Sequence, residues 1–289
     1  MSVSTDFKEF CSQLWMADTA DTILQRYHRI NRRINLDFYG TDSDTQHTLY
    51  VGSYGRGTEI RTSDIDMLVI FPPSYYSKYD AYSGNGQSAL LQEVKTSLQK
   101  TYSTSHMRGD GQVIKIDFAD GINFEIVPAF LNISGSYTYP DTHNNGSWQV
   151  TNPKAEIDAL NSKNKETNKN LKRLCRMIRA WRETNNIDIP GILIDTLAYN
   201  FMSTGKYNTQ SYQSYDCMSR DFFKYLMDIN PDKLYWPAPG SANHVYKKAD
   251  FHNSAKEAYQ LALDAINYES YPSTSRKIWR KIYGTKFPM

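Results

Sequence analysis

The stretch Tyr50-Val51-Gly52-Ser53-Tyr54-Gly55-Arg56-Gly57-Thr58 leads, five residues on, into Asp64-Ile65-Asp66-Met67-Leu68-Val69-Ile70-Phe71. It reads as a strand end, a tight turn at Gly52-Ser53, a short polar stretch and a second strand. Strand side chains repeat every two residues, so Asp64 and Asp66 share a face. Two like charges side by side repel, and a divalent cation resolves the conflict. Mg²⁺ prefers one or two carboxylates together with substrate phosphates. The glycine turn offers the complementary half, backbone N–H groups and the Ser53 hydroxyl that can hold phosphate oxygens. Gly-Ser alone is an ordinary turn, and Asp-x-Asp alone is often a solvated strand edge. Their combination, in this order and ahead of an apolar strand, is specific.

Composition narrows the class. With 289 residues the chain is long enough for one large domain or two smaller ones. A formal charge of +2 speaks against a general nucleic-acid coat, which needs a strong basic excess. Cys11, Cys175 and Cys217 are odd in number and far apart, which fits neither a disulfide framework nor a zinc site and implies a reducing, cytoplasmic setting. No signal-peptide pattern opens the sequence, and no apolar run reaches the length of a membrane span.

Hydrophobic periodicity predicts helix over 6–38, with Asp6 as a cap. Phe7, Phe10, Cys11, Leu14 and Trp15 follow helical spacing in its first half, and Ile23, Leu24, Tyr27, Ile30, Ile34 and Phe38 lie on one side of its second. Arg26, Arg29, Arg32 and Arg33 read as a solvated basic face. A strand over 47–51 delivers Gly52-Ser53, the Asp64–Phe71 strand ends at Pro72-Pro73, and a helix spans 86–100. Val113–Ala119 and Ile122–Phe130 form a hairpin about Asp120-Gly121. Residues 132–150, rich in Ser, Gly, Asn, Thr and Tyr, read as a long loop. Asn152-Pro153 starts a helix. The remainder is helical, near 165–185, 192–202, 217–229, 250–268 and 272–283, with a flexible loop at 203–216 and a Pro-rich link at 231–240. The pattern gives an α+β protein with a mixed-sheet lobe over 1–150 and a helical lobe over 151–289.

Glu125 lies mid-strand in Phe-Glu-Ile-Val-Pro-Ala-Phe, where a carboxylate is expensive to bury without a partner. A metal shared with Asp64 and Asp66 provides one; a solvent-open strand face is the plainer reading. Asp117, one strand earlier, is the rival third ligand. The helix near 165–185 carries a core stripe of Leu171, Leu174, Cys175, Ile178 and Trp181, and its other faces carry Lys172, Arg176 and Arg179. Residues three, four and seven apart share a helix face, so these three cations cluster. They read equally as a solvated face or as a triphosphate clamp.

The chain resembles the bacterial cGAS/DncV-like nucleotidyltransferases, the CD-NTase family of anti-phage signalling within the polymerase β-like superfamily. The likeness rests on Gly-Ser-Tyr-Gly-Arg-Gly-Thr at 52–58, Ser-Asp-Ile-Asp-Met at 63–67, Phe-Glu-Ile-Val-Pro-Ala-Phe at 124–130, Asn-Pro at 152–153 and Leu-Lys-Arg-Leu-Cys-Arg-Met-Ile-Arg-Ala-Trp-Arg at 171–182. It implies a polymerase β-like fold with a nucleotide cleft between its two lobes. It implies Asp64, Asp66 and Glu125 as catalytic metal ligands for two Mg²⁺, with Mn²⁺ as substitute. It implies Gly52, Ser53 and Arg179 at the nucleotide; Lys172, on the helix face of Arg179, and Asp195, in the first turn of the helix near 192–202, are expected there as well. Arg179 stands where relatives usually have a lysine, and Gly191 where they often have a serine.

The resemblance further implies ATP, GTP or pyrimidine triphosphates as substrates, a cyclic dinucleotide or less often a trinucleotide as product, and a separate effector protein as its target. A membrane or a stable nucleic-acid partner is not expected. Two alternatives stay open: a nucleotidyltransferase acting on RNA or protein, and a non-catalytic nucleotide-binding module.

Overall fold

The structure is a computed structural model and describes residues 2–15, 19–60 and 64–289. Ser63 of the motif and positions 16–18 of the expected helical run lie outside these residues. In chain order, α1 (Val3–Gln13) and α2 (Ala20–Ile34) come first, and α2 runs into a π-helical turn at Asn35–Tyr39. β1 (Thr48–Tyr50), α3 (Gly52–Arg56) and β2 (Asp64–Ile70) follow, then α4 (Pro73–Asp80) and α5 (Gly86–Gln99). β3 (His106–Asp110), β4 (Val113–Asp117), β5 (Asn123–Leu131), β6 (Tyr137–Asp141) and β7 (Ser147–Thr151) complete the strand-rich part. The rest is α6 (Pro153–Glu166), α7 (Asn170–Thr184), α8 (Gly191–Met202), α9 (Tyr215–Met227), the short hairpin β8 (Tyr235–Pro237) and β9 (His244–Tyr246), α10 (His252–Asn267) and α11 (Pro272–Tyr283).

The chain divides into two compact units. The strand unit is a mixed seven-stranded sheet with the path β1-β2-β5-β4-β3; β6 pairs with β5, and β7 with β6. β2 and β5 run parallel and the other pairs antiparallel. Alternation along β2 sends Ile65, Met67 and Val69 to one face, where they meet Ile114, Ile116, Phe124 and Ile126 of the neighbouring strands. Ile23, Ile30 and Ile34 of α2 and Leu90, Leu91, Val94 and Leu98 of α5 close over that face. On the other face Leu68 packs with Val51, Ala129 and Tyr137. Asp64 and Asp66 share Leu68's side of the strand by the same alternation.

The helical unit gathers α6 to α11 with α1 and the short segment Arg56–Ile60. Its core is aromatic: Phe7 and Phe10 of α1 meet Tyr215, Trp279, Tyr283 and Phe287 edge-on or tilted. The sequence reading had placed α1 in the strand-rich lobe. Its apolar face belongs to the helical core, and Asp6 is bound bidentately by Arg276 at 2.8 and 3.0 Å. Asp6 is therefore not the cap; Ser2 is, accepting from the Thr5 amide.

Other expectations change as well. The stretch 132–150 is not a loop but the β6–β7 hairpin, which turns through Asn144, Asn145 and Gly146, all at positive φ. Pro140 inside β6 and the polar composition hid it. α4 begins at Pro73, where only a strand end was expected; proline suits the first helical turn. The Pro-rich link holds the β8–β9 hairpin, and the loop at 203–216 contains a 3₁₀ turn at Tyr212–Ser214. Three arginines of α2 are paired rather than merely solvated: Arg26 with Asp120, Arg32 with Asp42 and Arg33 with Asp37. The three cysteines are free, and among the described residues no helix is long and apolar enough to cross a membrane.

Candidate active site

β2 places Asp64 and Asp66 at its N-terminal end, Asp64 exposed and Asp66 half-buried. β1 feeds directly into the glycine turn, and Val51 donates its amide to the Asp66 carbonyl at 2.9 Å. Gly52 follows at φ +60, a conformation that costs side-chain-bearing residues energy. A Cβ at Gly52 would also lie 1.7 Å from Asp66 Oδ2. Only glycine meets both demands, so Gly52 and the Asp66 carboxylate form one unit. Ser53 sits in the first turn of α3, half-buried.

Glu125 is the register partner of Asp66 on the parallel strand β5, which sets the two on the same sheet face. Its carboxylate is bound by Lys115 from β4, Nζ to Oε1 at 2.7 Å. That hydrogen bond is the main reason the Lys115 pKa is raised. Asp117 is tied to β3, with His106 Nδ1 at 2.8 Å and Arg108 Nη1 at 2.9 Å, and the His106 bond foremost holds its carboxyl below the usual range. Among the described residues, no three His, Cys, Asp or Glu side chains form a group that could hold a metal. The two carboxylates that β2 carries on one face, Asp64 and Asp66, are of the kind that Mg²⁺ takes beside substrate phosphates.

Arg179 and Asp195, both expected at the nucleotide, bind each other inside the helical unit. Asp195 is fully buried at 0% exposure within the helical unit. Its Oδ1 accepts from Arg179 Nη1 at 2.6 Å, and its Oδ2 from Arg179 Nη2 at 2.9 Å, Arg56 Nε at 2.8 Å and Thr58 Oγ1 at 3.0 Å. Burial alone would raise the carboxyl pKa, but the Arg179 and Arg56 charges hold it down at about 2. Arg179 is 3% exposed and also donates to the Gly191 carbonyl at 2.9 Å. Its guanidinium is held inside the unit by Asp195 and the Gly191 carbonyl.

A Cβ at Gly191 would come within 3.1 Å of Arg179 Nη2. The Arg179 head group thus lies against a position that has no side chain.

Lys172 donates to Asn161 Oδ1 at 2.6 Å, and Arg176 to the Gly57 and Glu59 carbonyls at 2.7 and 3.3 Å. Sequence reasoning gave no role to Arg56 or Thr58, although both stand in the quoted motif. The signal was Asp195 itself: a carboxylate inside Gly-Ile-Leu-Ile-Asp-Thr-Leu demands a buried cationic partner.

The chain is 23% identical over 262 residues to a cyclic AMP-AMP-AMP synthase from Acinetobacter, covering 84% of this chain and 73% of that one. It is 25% identical over 162 residues to a cyclic AMP-AMP-GMP synthase from Enterobacter hormaechei, covering 52% of this chain and spanning 42% of the relative's length. The fold matches that of CdnC in a complex with HORMA-deltaN from E. coli MS115-1, with TM-score 0.73 at 16% identity over 99% of this chain and 98% of the other. The Second Messenger Oligonucleotide or Dinucleotide Synthetase domain matches residues 1–164, more than half of the sequence. The chain belongs to that family, the nucleotidyltransferases that build cyclic oligonucleotides from nucleoside triphosphates.

Proposed function

We propose that this chain joins three nucleoside triphosphates, ATP foremost, into a cyclic trinucleotide with release of pyrophosphate. One observation carries the catalytic part: the aspartate pair of β2, with Asp66 lodged where Gly52 has no side chain. The trinucleotide is favoured over the dinucleotide of the sequence reading by the names of the two relatives, whose products each contain three nucleotides and at least two adenylates.

Asp64 and Asp66 would hold two Mg²⁺, which supply charge neutralisation at the phosphates and acidity at the acceptor hydroxyl. Gly52 and Ser53 hold phosphate oxygens through the backbone N–H groups and the hydroxyl of the turn. Glu125 stands beside Asp66 as the third carboxylate, and Lys115 fixes its orientation. Either Glu125 or Asp66 accepts the proton of the attacking ribose hydroxyl. The protein's contribution is positioning and fixed charge. The setting is cytoplasmic, where the triphosphates are, and the product acts on a separate effector protein in defence against phage.

The test is incubation of the purified chain with α-labelled ATP, alone and with the other three triphosphates, and Mg²⁺. The expected product is a small, phosphatase-resistant species whose mass is that of three linked nucleotides without free ends. Label transferred to added RNA or protein, or triphosphate bound without turnover, overturns the proposal.

A further inference from the structure

The helical unit contains a cavity of about 510 Å³ whose wall is built from α1, Gly57, the α6 end, α7 and Tyr212. Five cations line it, Lys8, Lys169, Lys172, Arg173 and Arg176, and among the described residues no acidic one does. The molecule treats its other buried arginines differently. Arg56 and Arg179 are neutralised by Asp195, and Arg276 by Asp6. Among the described residues none of the five cavity cations is in an ion pair. Lys172 bonds the Asn161 amide oxygen, Arg173 the Tyr215 hydroxyl and the Asn168 carbonyl, and Arg176 the Gly57 and Glu59 carbonyls. Glu59 is not in the wall but its charge is felt by Lys172 and Arg176; burial pushes its carboxyl pKa up against the pull of Arg176, Arg179 and Lys172, and its Oε2 has no hydrogen-bond partner.

Collected positive charge of this kind repels itself, and Lys172 shows the strain: burial first, then the Arg176 charge, lower its pKa. Such a cluster is stabilised by an anion that meets several of its members at once. Two aromatic rings complete the wall. The Arg176 guanidinium lies 4.3 Å from the centre of Trp15, and that of Arg173 lies 4.8 Å from the centre of Tyr212. Trp15 is 59% exposed, an unusual state for tryptophan in a chain that buries Trp181, Trp236 and Trp279. An aromatic face flanked by arginines is a surface on which a planar ring stacks.

We infer that this cavity binds a ring-bearing polyphosphate, a nucleotide-type ligand whose phosphates meet Lys8, Lys169, Lys172, Arg173 and Arg176 and whose ring lies on Trp15. The volume lies within the range of small-molecule sites, about 300–1,000 Å³. This binding stands independently of whether Asp64 and Asp66 transfer nucleotides.

The experiment is calorimetry on the full chain carrying Asp64→Asn and Asp66→Asn, without divalent metal, using inorganic tripolyphosphate and ATP as probes. Both probes are expected to bind. Adding Lys8→Gln and Lys169→Asn, two exposed positions where the second replacement tolerates the left-handed backbone, should weaken both by about tenfold or more. The same number of replacements at Lys247 and Lys277 should leave both unchanged. Trp15→Ala should weaken ATP and spare tripolyphosphate. No tripolyphosphate binding, or equal affinity in the cavity and control variants, overturns the inference; equal losses for both probes with Trp15→Ala overturn its ring half. Product formation by the unaltered chain is read separately, so failure here and failure of the synthase reading are distinguishable.

Discussion

Aspartates appear in two contrasting settings. Asp64 and Asp66 stand together at the end of β2, exposed or half-exposed, side by side with like charge. Asp195 is alone, fully buried, and met by two guanidinium groups and a hydroxyl. A carboxylate surrounded by fixed cations has spent its charge on the fold. A pair carried on one face of a strand end, exposed or half-exposed, is not buried in the fold in that way. The difference divides residues that the sequence motif presents together, since Arg56 and Thr58 of the glycine-rich stretch serve the buried aspartate, and Gly52 serves the open pair.

The sharpest way to break this contrast is Asp64→Asn with Asp66→Asn. Product formation should fall by about a thousandfold or more, while the midpoint of thermal unfolding stays level or rises because like-charge repulsion is removed. Parallel loss of activity and folding would place the pair in the structural class. Asp195→Ala should do the reverse. It strands Arg179 without a counter-charge and leaves Arg56 only Glu156 at 3.8 Å, a change that typically costs about 3–5 kcal/mol, measured by urea denaturation. The carboxyl pKa is below its ordinary 3.8, so its contribution is complete above that value and is lost as pH falls through about 2. Acid unfolding followed by fluorescence should lose that low-pH component in the variant.

Glu125 and Asp117 sharpen the same line within the sheet. Glu125→Gln should lower turnover by about a hundredfold, in the range of general acid–base contributions, whereas Asp117→Asn, tied to His106 and Arg108, should stay near the parent rate. The opposite ranking would move the site to the neighbouring strand. Gly52→Ala tests the joint between turn and aspartate. Strain at positive φ and the collision with Asp66 should cost about 1–3 kcal/mol in stability and reduce turnover more than Gly121→Ala, where the added methyl meets open space.

The smallest effect belongs to Gly191→Ser. It should cost no more than about 1 kcal/mol beside Arg179, and less in an Arg179→Lys background. A double-mutant cycle on unfolding free energy reads that coupling, and additivity would separate the two departures.

Much of the sheet was legible because β2, β4 and β5 alternate cleanly and are bounded by Pro72-Pro73 and Asp120-Gly121. The stripe of α7 was legible for the same reason. The β6–β7 hairpin was not, since Pro140 and a run of small polar residues mimic a loop. The alliance of α1 with the helical core was hidden too, because Arg276, the partner of Asp6, lies 270 residues away. At the site, spacing put Asp64 and Asp66 on one strand face but could not separate a cation that meets neutral carbonyls from one that meets a carboxylate. Arg176 and Arg179 sit three residues apart on one helix, yet one faces neutral carbonyls and the other a buried aspartate.

The segment Arg56–Ile60, which joins the helical unit while its sequence neighbours Gly52 and Asp64 serve the strand unit, has a consequence for chimaeras. A recombinant that exchanges only residues 155–289 with a relative keeps a foreign Arg56, Thr58 and α1 against the incoming helices. Asp195, or whatever replaces it, would then meet partners from another lineage. Successful grafts have to carry three pieces of chain at once, so the helical unit is inherited as a discontinuous module that no single crossover can transfer intact.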